Sequence, residues 1–538
     1  MEGFDLITFL DSVFPQAVVD MPPKDKIRLE ANEDGQALYP SSIFGLMPTF
    51  PKEGRRLLKA PQVMVDRAKK GQLLEFLCQH SFGNSYLRLA KENAEHPFYK
   101  EIPADEKSAP DGLVLDLSRL EKYQTQPGRH RYGGVAFFKF KPTDEDETCL
   151  KLSTEWVVEP LGSRKIHASN GLFRAAEDKI VSSLLFDVVA GKHLAELHQA
   201  FNLLEYALHN EFDCALNKFR RLEGFNAHPL RVVLYVHMFS HALATELTVE
   251  HLLQKNGVFE QVFALNHESL VEYMEDKFYT FDFCSDEDWA YRTACMAPLL
   301  SQAKNASVDG AVEPGFSCSL EWELCYKQHT DTYAQAAIGA MYDSDEDVKA
   351  DTELAGFWKE LCGLYAAISD RYDKLQTKDG LALFVSDLVF HLTVRHELYG
   401  TCAMAGAFDS RIMTPYVPED GGNIALDEWR SFVYIGLVTA YPPFVNLVQD
   451  DTQNDCNNNI NHNSNASKQR RLECVFEDAT PVGGKGNQMK LAETLRNGFL
   501  GLTDNLCRLQ REWDSRDPSG EWKLLVPQPK ALHSGPGY

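Results

Sequence analysis

From residue 175 onward, apolar side chains recur at spacings of three and four through most of the chain, the repeat that lines one face of an α-helix. The stretch HLAELHQAFNLLEYALHNEF at 193–212 is typical. Faces patterned in this way must be buried against one another, so the body is expected to be a large helical assembly. Strand signals are confined to its start. GLVLDL at 112, GGVAFFKF at 133 and CLKLSTEWVV at 149 are short runs rich in branched and aromatic residues, and they follow the breaker-rich link PADEKSAPDG at 103–112. The expected fold class is mainly α, with one small β-sheet.

That link also suggests a division of the chain. Residues 1–105 read as a mostly helical segment, with 61–95 the clearest helical stretch, packed on a body formed by 106–538. Within the body, DDTQNDCNNNINHNSNASKQRR at 450–471 has almost no large apolar side chains. It cannot offset its ordering entropy by burial, so a surface loop is expected there.

Charge and motifs exclude several function classes. The 54 basic and 78 acidic residues give a formal net charge of −24, which argues against nucleic acid and anionic membranes as partners and leaves an apolar small molecule as the expected one. No run of eighteen apolar residues is present, so no membrane span is expected. The first residues, MEGFDLITFLDSVFPQAVVD, lack a basic lead and are interrupted by acids, which reads as a packed helix and not as a secretory signal. The 12 cysteines include no C-x-x-C pair and read as reduced thiols of a cytoplasmic protein. Neither G-x-G-x-x-G nor G-x-x-x-x-G-K-[ST] occurs, and DSDED at 343 lacks the glycine and the terminal glutamate of a calcium loop. Nothing in the sequence defines an oligomeric state.

The helical body carries a set of motifs in a distinctive order. His228-Pro229 opens HPLRVVLYVHMFSHALATELTVEHLLQKNGVFEQVF, with His237 nine residues on and an L-L-x-x-x-G-x-F close. MYDSDEDVKADTELAGFWKEL follows at 341–361, LALFVSDLVFHLTVRHELYG at 381–400, and GFLGLTDNLCRLQREWDSRDPSGEWKLLVPQP near the end. In this order they resemble the lipoxygenase catalytic domain over about residues 110–538, in the compact architecture without an N-terminal β-sandwich. The resemblance implies a lipoxygenase-like helical domain with a small sheet, enclosing a long apolar tunnel for a polyene.

Lipoxygenases hold iron or manganese through a histidine pair on one helix, a histidine and usually an asparagine on another, and the terminal carboxylate. The resemblance places the pair within 202–208, which reads NLLEYAL and contains no histidine. His396 matches the histidine of the second helix, but Gly400, four residues on, has no side chain to ligate, and Tyr538 supplies only a terminal carboxylate. On this register the site keeps too few donors for a redox metal. In the alternative register His193 and His198, five apart, replace the missing pair and act with His396 and the Tyr538 carboxylate.

The first register leads to an enzyme without a cofactor, a cyclase or isomerase of the intramolecular Diels–Alder type acting on an apolar polyunsaturated secondary metabolite. A pocket that folds a flexible polyene into a reactive conformation lowers the entropic part of the barrier. His198, Asn202, Tyr206 and His209 share one face of a regular helix, and with His396 they would supply hydrogen-bond donors to a carbonyl. Ala207, Gly400 and Tyr538 would shape the pocket. The second register leads to a lipoxygenase-type dioxygenase that forms fatty-acid hydroperoxides with iron or manganese. A non-catalytic lipid-binding or partner protein is the third reading.

Overall fold

The computed structural model describes residues 62–90, 112–142, 150–162, 165–198, 228–238, 253, 255–280, 291–296, 318–364, 376–403, 412–422, 424, 476–484 and 486–516, and two-residue strand pairs at 30–31 with 37–38 and at 307–308 with 311–312. The Asn-rich segment 450–471 lies outside these residues, as does most of 1–61.

Five antiparallel strands form the sheet in sequence order: β1 Leu87–Leu89, β2 Leu113–Asp116, β3 Val135–Pro142, β4 Leu150–Val158 and β5 Lys165–His167. β2, β3 and β4 are the three runs expected from sequence. β1 was hidden inside a stretch read as helical, and three residues are too few to show a period-2 pattern. Leu113, Leu115, Ala136, Phe138, Leu152 and Val157 belong to the main core. Their neighbours Val114, Val135, Phe137, Trp156 and Val158 form a separate cluster, as alternation along a pleated strand requires. Phe137 and Trp156 stack there with centroids 5.0 Å apart, and the Lys165 ammonium lies 4.5 Å over the Trp156 ring. A bulge, with Phe137 opposite Trp156 but Phe138 opposite Thr154, leaves Glu155 as the extra residue.

The short β5 pairs only with residues 156–158, so part of the β4 edge needs other partners. Helix α2 (Leu73–His80), which follows α1 (Gln62–Lys69), provides them. Glu75 and Gln79, one turn apart, accept the backbone N–H groups of Thr154 (2.7 Å) and Leu152 (2.9 Å). The described part of the N-terminal segment therefore closes the sheet edge.

The helical body comprises α3 (Phe173–Phe186), which packs on β4 and β5, with α4 (Pro229–Met238), α5 (His267–Thr280), α6 (Cys318–Met341), α7 (Asp345–Ala350), α8 (Thr352–Leu364), α9 (Lys378–Phe390) and α10 (Gln488–Arg516). α6 packs along both α9 and α10. The α10 contribution is Leu491, Leu495, Phe499, Leu502, Leu506, Leu509 and Trp513, all buried at spacings of three and four. Each such side chain contributes about 1.5–3 kcal/mol by leaving water.

Two of the quoted motifs meet in space. The Nδ1 atom of His228 accepts the Leu230 N–H at the start of α4, so Nε2 carries the proton and donates to Asp351 Oδ2 at 2.9 Å. Tyr342 donates to the same oxygen at 2.6 Å, while Asp351 Oδ1 caps α8 by accepting from the N–H groups of Glu353 and Leu354. Ser344 and Asp347 form a reciprocal capping box on α7. The Y-x-S-D-x-x-V-x-x-D-x-E-L pattern thus encodes two helix starts and a clamp on the His-Pro turn. Although His228, Asp351 and Glu353 lie close enough to share an ion, both Asp351 oxygens serve this clamp. No helix among the described residues is long and apolar enough to cross a membrane, and Cys78, Cys295, Cys325, Cys362, Cys402 and Cys507 are free thiols.

Candidate metal centre

α3 does not end at Phe186 but widens into a π-helix over Asp187–His198. The widening matters because of the histidine spacing. Residues five apart on an α-helix diverge by about 140° around its axis, whereas i→i+5 bonding stacks them on one side. His193 and His198 therefore project together only because the backbone is π-helical.

The widened segment is held at its start by a buried acid. Asp187 accepts from Tyr86 (2.7 Å), Tyr273 (2.8 Å) and Arg119 (2.5 Å), and it pairs with Lys277 at 3.2 Å. Burial works to raise this carboxyl, but the Arg119 and Lys277 charges and the Tyr86 hydroxyl outweigh it and hold the group well below the usual range. Lys277 also reaches Glu196, nine residues further along the helix from Asp187, at 3.2 Å. α5, which carries Tyr273 and Lys277, comes so close that a Cβ at Gly191 would sit 2.1 Å from the Tyr273 hydroxyl. A glycine is required there.

α9 continues in the same manner, through π-helical turns at His391–Arg395 and Leu398–Cys402. His396 lies between them. Its neighbour Arg395 is tied to the fully buried Glu323 at 2.9 Å and to the Tyr399 hydroxyl at 2.6 Å. Arg292 holds the same Glu323 with two 3.0 Å contacts, and Ser319 donates to it at 2.9 Å. Desolvation opposes the Glu323 charge, but the two guanidinium groups more than offset it and lower the carboxyl.

The two helices bring three imidazoles together. His193 Nε2 lies 3.0 Å from His396 Nε2 and 3.2 Å from His198 Nε2, and the last two nitrogens are 3.0 Å apart. All three residues are buried, at 2%, 5% and 4% exposure. Burial, and secondarily the proximity of His198, holds His193 well below its ordinary value, while burial takes His198 down to about 3. Both rings are therefore neutral near pH 7 and offer lone pairs. A closed triangle of N–H···N bonds would require strongly bent angles, so mutual hydrogen bonding is a poor account of the cluster. Ligands about 2.0–2.1 Å from one ion and at right angles are separated by about 3 Å, which is the separation found. The donor set fits a divalent first-row metal.

The chain superposes on a fungal lipoxygenase from Fusarium graminearum with a TM-score of 0.61, covering 99% of this chain and 90% of that one at 11% identity. The fold is that of the lipoxygenases. A lipoxygenase crystallised with arachidonate gives a TM-score of 0.61, with 90% of this chain and 69% of that one covered at 12% identity. The manganese lipoxygenase of Gaeumannomyces graminis gives 0.51, with 86% and 80% covered at 13% identity. No protein-family model matches the chain, and neither does any curated protein sequence.

The window NLLEYAL at 202–208 lies outside the described residues. The first register counted His396 as the one imidazole at the site, and in the structure His193 and His198 converge on it. The shared face of His198, Asn202, Tyr206 and His209 assumed a regular helix, whereas the backbone up to His198 is π-helical. Gly400 also needs correction. It does not open pocket space, since a Cβ there would stand 2.8 Å from His193 Nε2, so the imidazole fills the position. Asn202, Tyr206, Ala207, His209 and Tyr538 lie outside the described residues, and the described residues do not trace the expected tunnel. The bracing residues Asp187, Tyr86, Tyr273, Arg119 and Lys277 were missed. They are scattered from 86 to 277, and only Gly191, two residues before His193 in an apolar helix, hinted at a close approach.

Proposed function

We propose that the chain is a lipoxygenase-type dioxygenase in which His193, His198 and His396 hold iron or manganese beside an apolar polyunsaturated substrate. The observation that carries this reading is the mutual approach of three buried Nε2 atoms to 3.0–3.2 Å. The arachidonate and the manganese of the two structural neighbours supply the substrate class and one of the metals. A redox ion bound there would supply the one-electron oxidation that hydrogen abstraction from a 1,4-diene requires. The chain's own contribution is to present neutral imidazoles, to keep bulk water from them, and to fix both helices through the Asp187 and Glu323 networks so that the donors need not reorganise.

The test combines metal analysis with oxygen uptake. Protein reconstituted with iron or manganese should retain about one equivalent after desalting, consume dioxygen with arachidonate and form a conjugated-diene chromophore, and His396→Ala should abolish all three. A metal-free ring closure is the second reading. It is favoured by one observation, that Gly400 adds no side-chain donor, and it requires activity that persists after exhaustive chelation.

A further inference from the structure

The Asp187 and Glu323 networks each hold one ligand helix, and a single ammonium lies between them. Lys192, the residue before His193, has its Nζ 5.1 Å from the Tyr86 ring centroid and 5.4 Å from the Tyr399 ring centroid. Both distances fall within the roughly 6 Å over which a ring face attracts a cation. Tyr86 ends the 3₁₀ turn Phe82–Tyr86, and Tyr399 stands in the π-helical turn Leu398–Cys402. The three side chains therefore come from three separate elements.

Each ring is itself anchored. Tyr86 donates to Asp187 at 2.7 Å, and the Arg119 guanidinium carbon lies 6.0 Å from its centroid. Tyr399 accepts from Arg395 at 2.6 Å, and Arg395 is held by Glu323. A ladder of Arg119, Tyr86, Lys192, Tyr399 and Arg395 thus runs from one buried carboxylate to the other. Arg292 joins the two networks a second time, because it reaches both Glu323 and Asn84, in the turn that carries Tyr86.

Carboxylates alone do not account for where Lys192 sits. Lys277 lies 3.2 Å from both Asp187 and Glu196, whereas the contact of Lys192 to Glu196 is 3.8 Å. Its side chain is only 19% exposed, so much of its hydration is given up and the two ring faces replace it. The place it bridges bears directly on the ligands. Gly400, next to Tyr399, is where a Cβ would stand 2.8 Å from His193 Nε2. Lys192 on Tyr399 and His193 on Gly400 are therefore adjacent contacts across the same pair of helices.

We propose that Lys192 is a positioning residue of the metal centre: its ammonium, shared between the Tyr86 and Tyr399 rings, locks the helix of His193 and His198 to the helix of His396. This role rests on the metal reading of the three histidines, but the link between the helices exists without metal.

Manganese affinity, read by competition with a chelator of known affinity, tests the role. Lys192→Met keeps an apolar stem without the charge and should weaken binding about tenfold, as loss of a group that orients a ligand does. Lys192→Arg, whose guanidinium stacks on the same rings, should restore affinity to within about threefold. In a Tyr399→Leu background Lys192→Met should cost much less, because one of its two ring faces is already gone. Amide hydrogen exchange of the chelator-treated full chain reads the link itself, and Lys192→Met should quicken exchange several-fold in both 187–198 and 398–402. Wild-type manganese affinity in a folded Lys192→Met protein, no rescue by Lys192→Arg, or exchange that quickens in 187–198 alone overturns the proposal. A wild-type chain that takes up no manganese refutes the metal reading instead, and the exchange result still decides the link.

Discussion

Adding one methyl group at residue 400 should remove the metal. The new Cβ of Gly400→Ala would stand 2.8 Å from His193 Nε2 and 3.3 Å from the two carbons beside it. Relief to an ordinary carbon–nitrogen contact requires the ring to retreat by roughly 0.6–0.8 Å, well outside the ±0.2 Å within which ligand distances hold. His193 cannot retreat freely, because it is buried and sits between His198 and His396 at 3.2 and 3.0 Å. Even indirect disturbance of a metal ligand costs about 10–100-fold in affinity, and direct displacement should cost at least that, or about 1.4–2.7 kcal/mol. Overpacking should lower folding stability by about 1–3 kcal/mol. The assay is a competition titration against a chelator of known affinity, with circular dichroism on the same sample to show that the chain is folded. Wild-type affinity in a folded Gly400→Ala protein would refute the steric reasoning and with it the placement of His193.

Other perturbations separate the bracing networks from the ligands. Asp187→Asn leaves Arg119 and Lys277 without their shared carboxylate and should destabilise the protein by about 3–5 kcal/mol in urea titrations; an unchanged midpoint would contradict the brace. Tyr342→Phe removes one donor from Asp351 while keeping the ring, so a loss of about 1–2 kcal/mol with full metal retention is expected from denaturation and metal analysis. Glu75 and Glu177 are both raised by burial from 4.5 to about 7. The folded state thus binds more protons than the unfolded one between those values, and stability should fall as pH rises from about 4.5 to 7, by up to about 1.4 kcal/mol per unit for each carboxyl. Glu75→Gln with Glu177→Gln should flatten this slope in melting curves taken across that range, and a slope as steep as wild type would exclude the assignment.

Much of the fold was legible because its signals are local. Three of the five strands and the helical body can be read from periodicity, whereas the His228 and Tyr342–Asp351 motifs stood out by family resemblance, and the structure shows that they form one hydrogen-bonded clamp. The site was legible in composition but not in register. His193, His198 and His396 are visible as histidines, yet whether two residues five apart face one point depends on helical pitch, which spacing alone does not define. What sets that pitch comes from far away in the chain: Tyr86, Arg119, Tyr273 and Lys277 all converge on Asp187, and Arg292 and Glu323 secure the turn before His396. No periodic pattern records such contacts.

The central claim is that three histidines from two helices widened by π-helical turns form one metal site. Metal analysis of purified protein after reconstitution and desalting, alongside His193→Ala, His198→Ala and His396→Ala, tests it most directly. The expected result is about one iron or manganese per wild-type chain and a large loss in each folded variant. Retention of the metal by any of the three at wild-type affinity, or a wild-type chain that retains none, would contradict it.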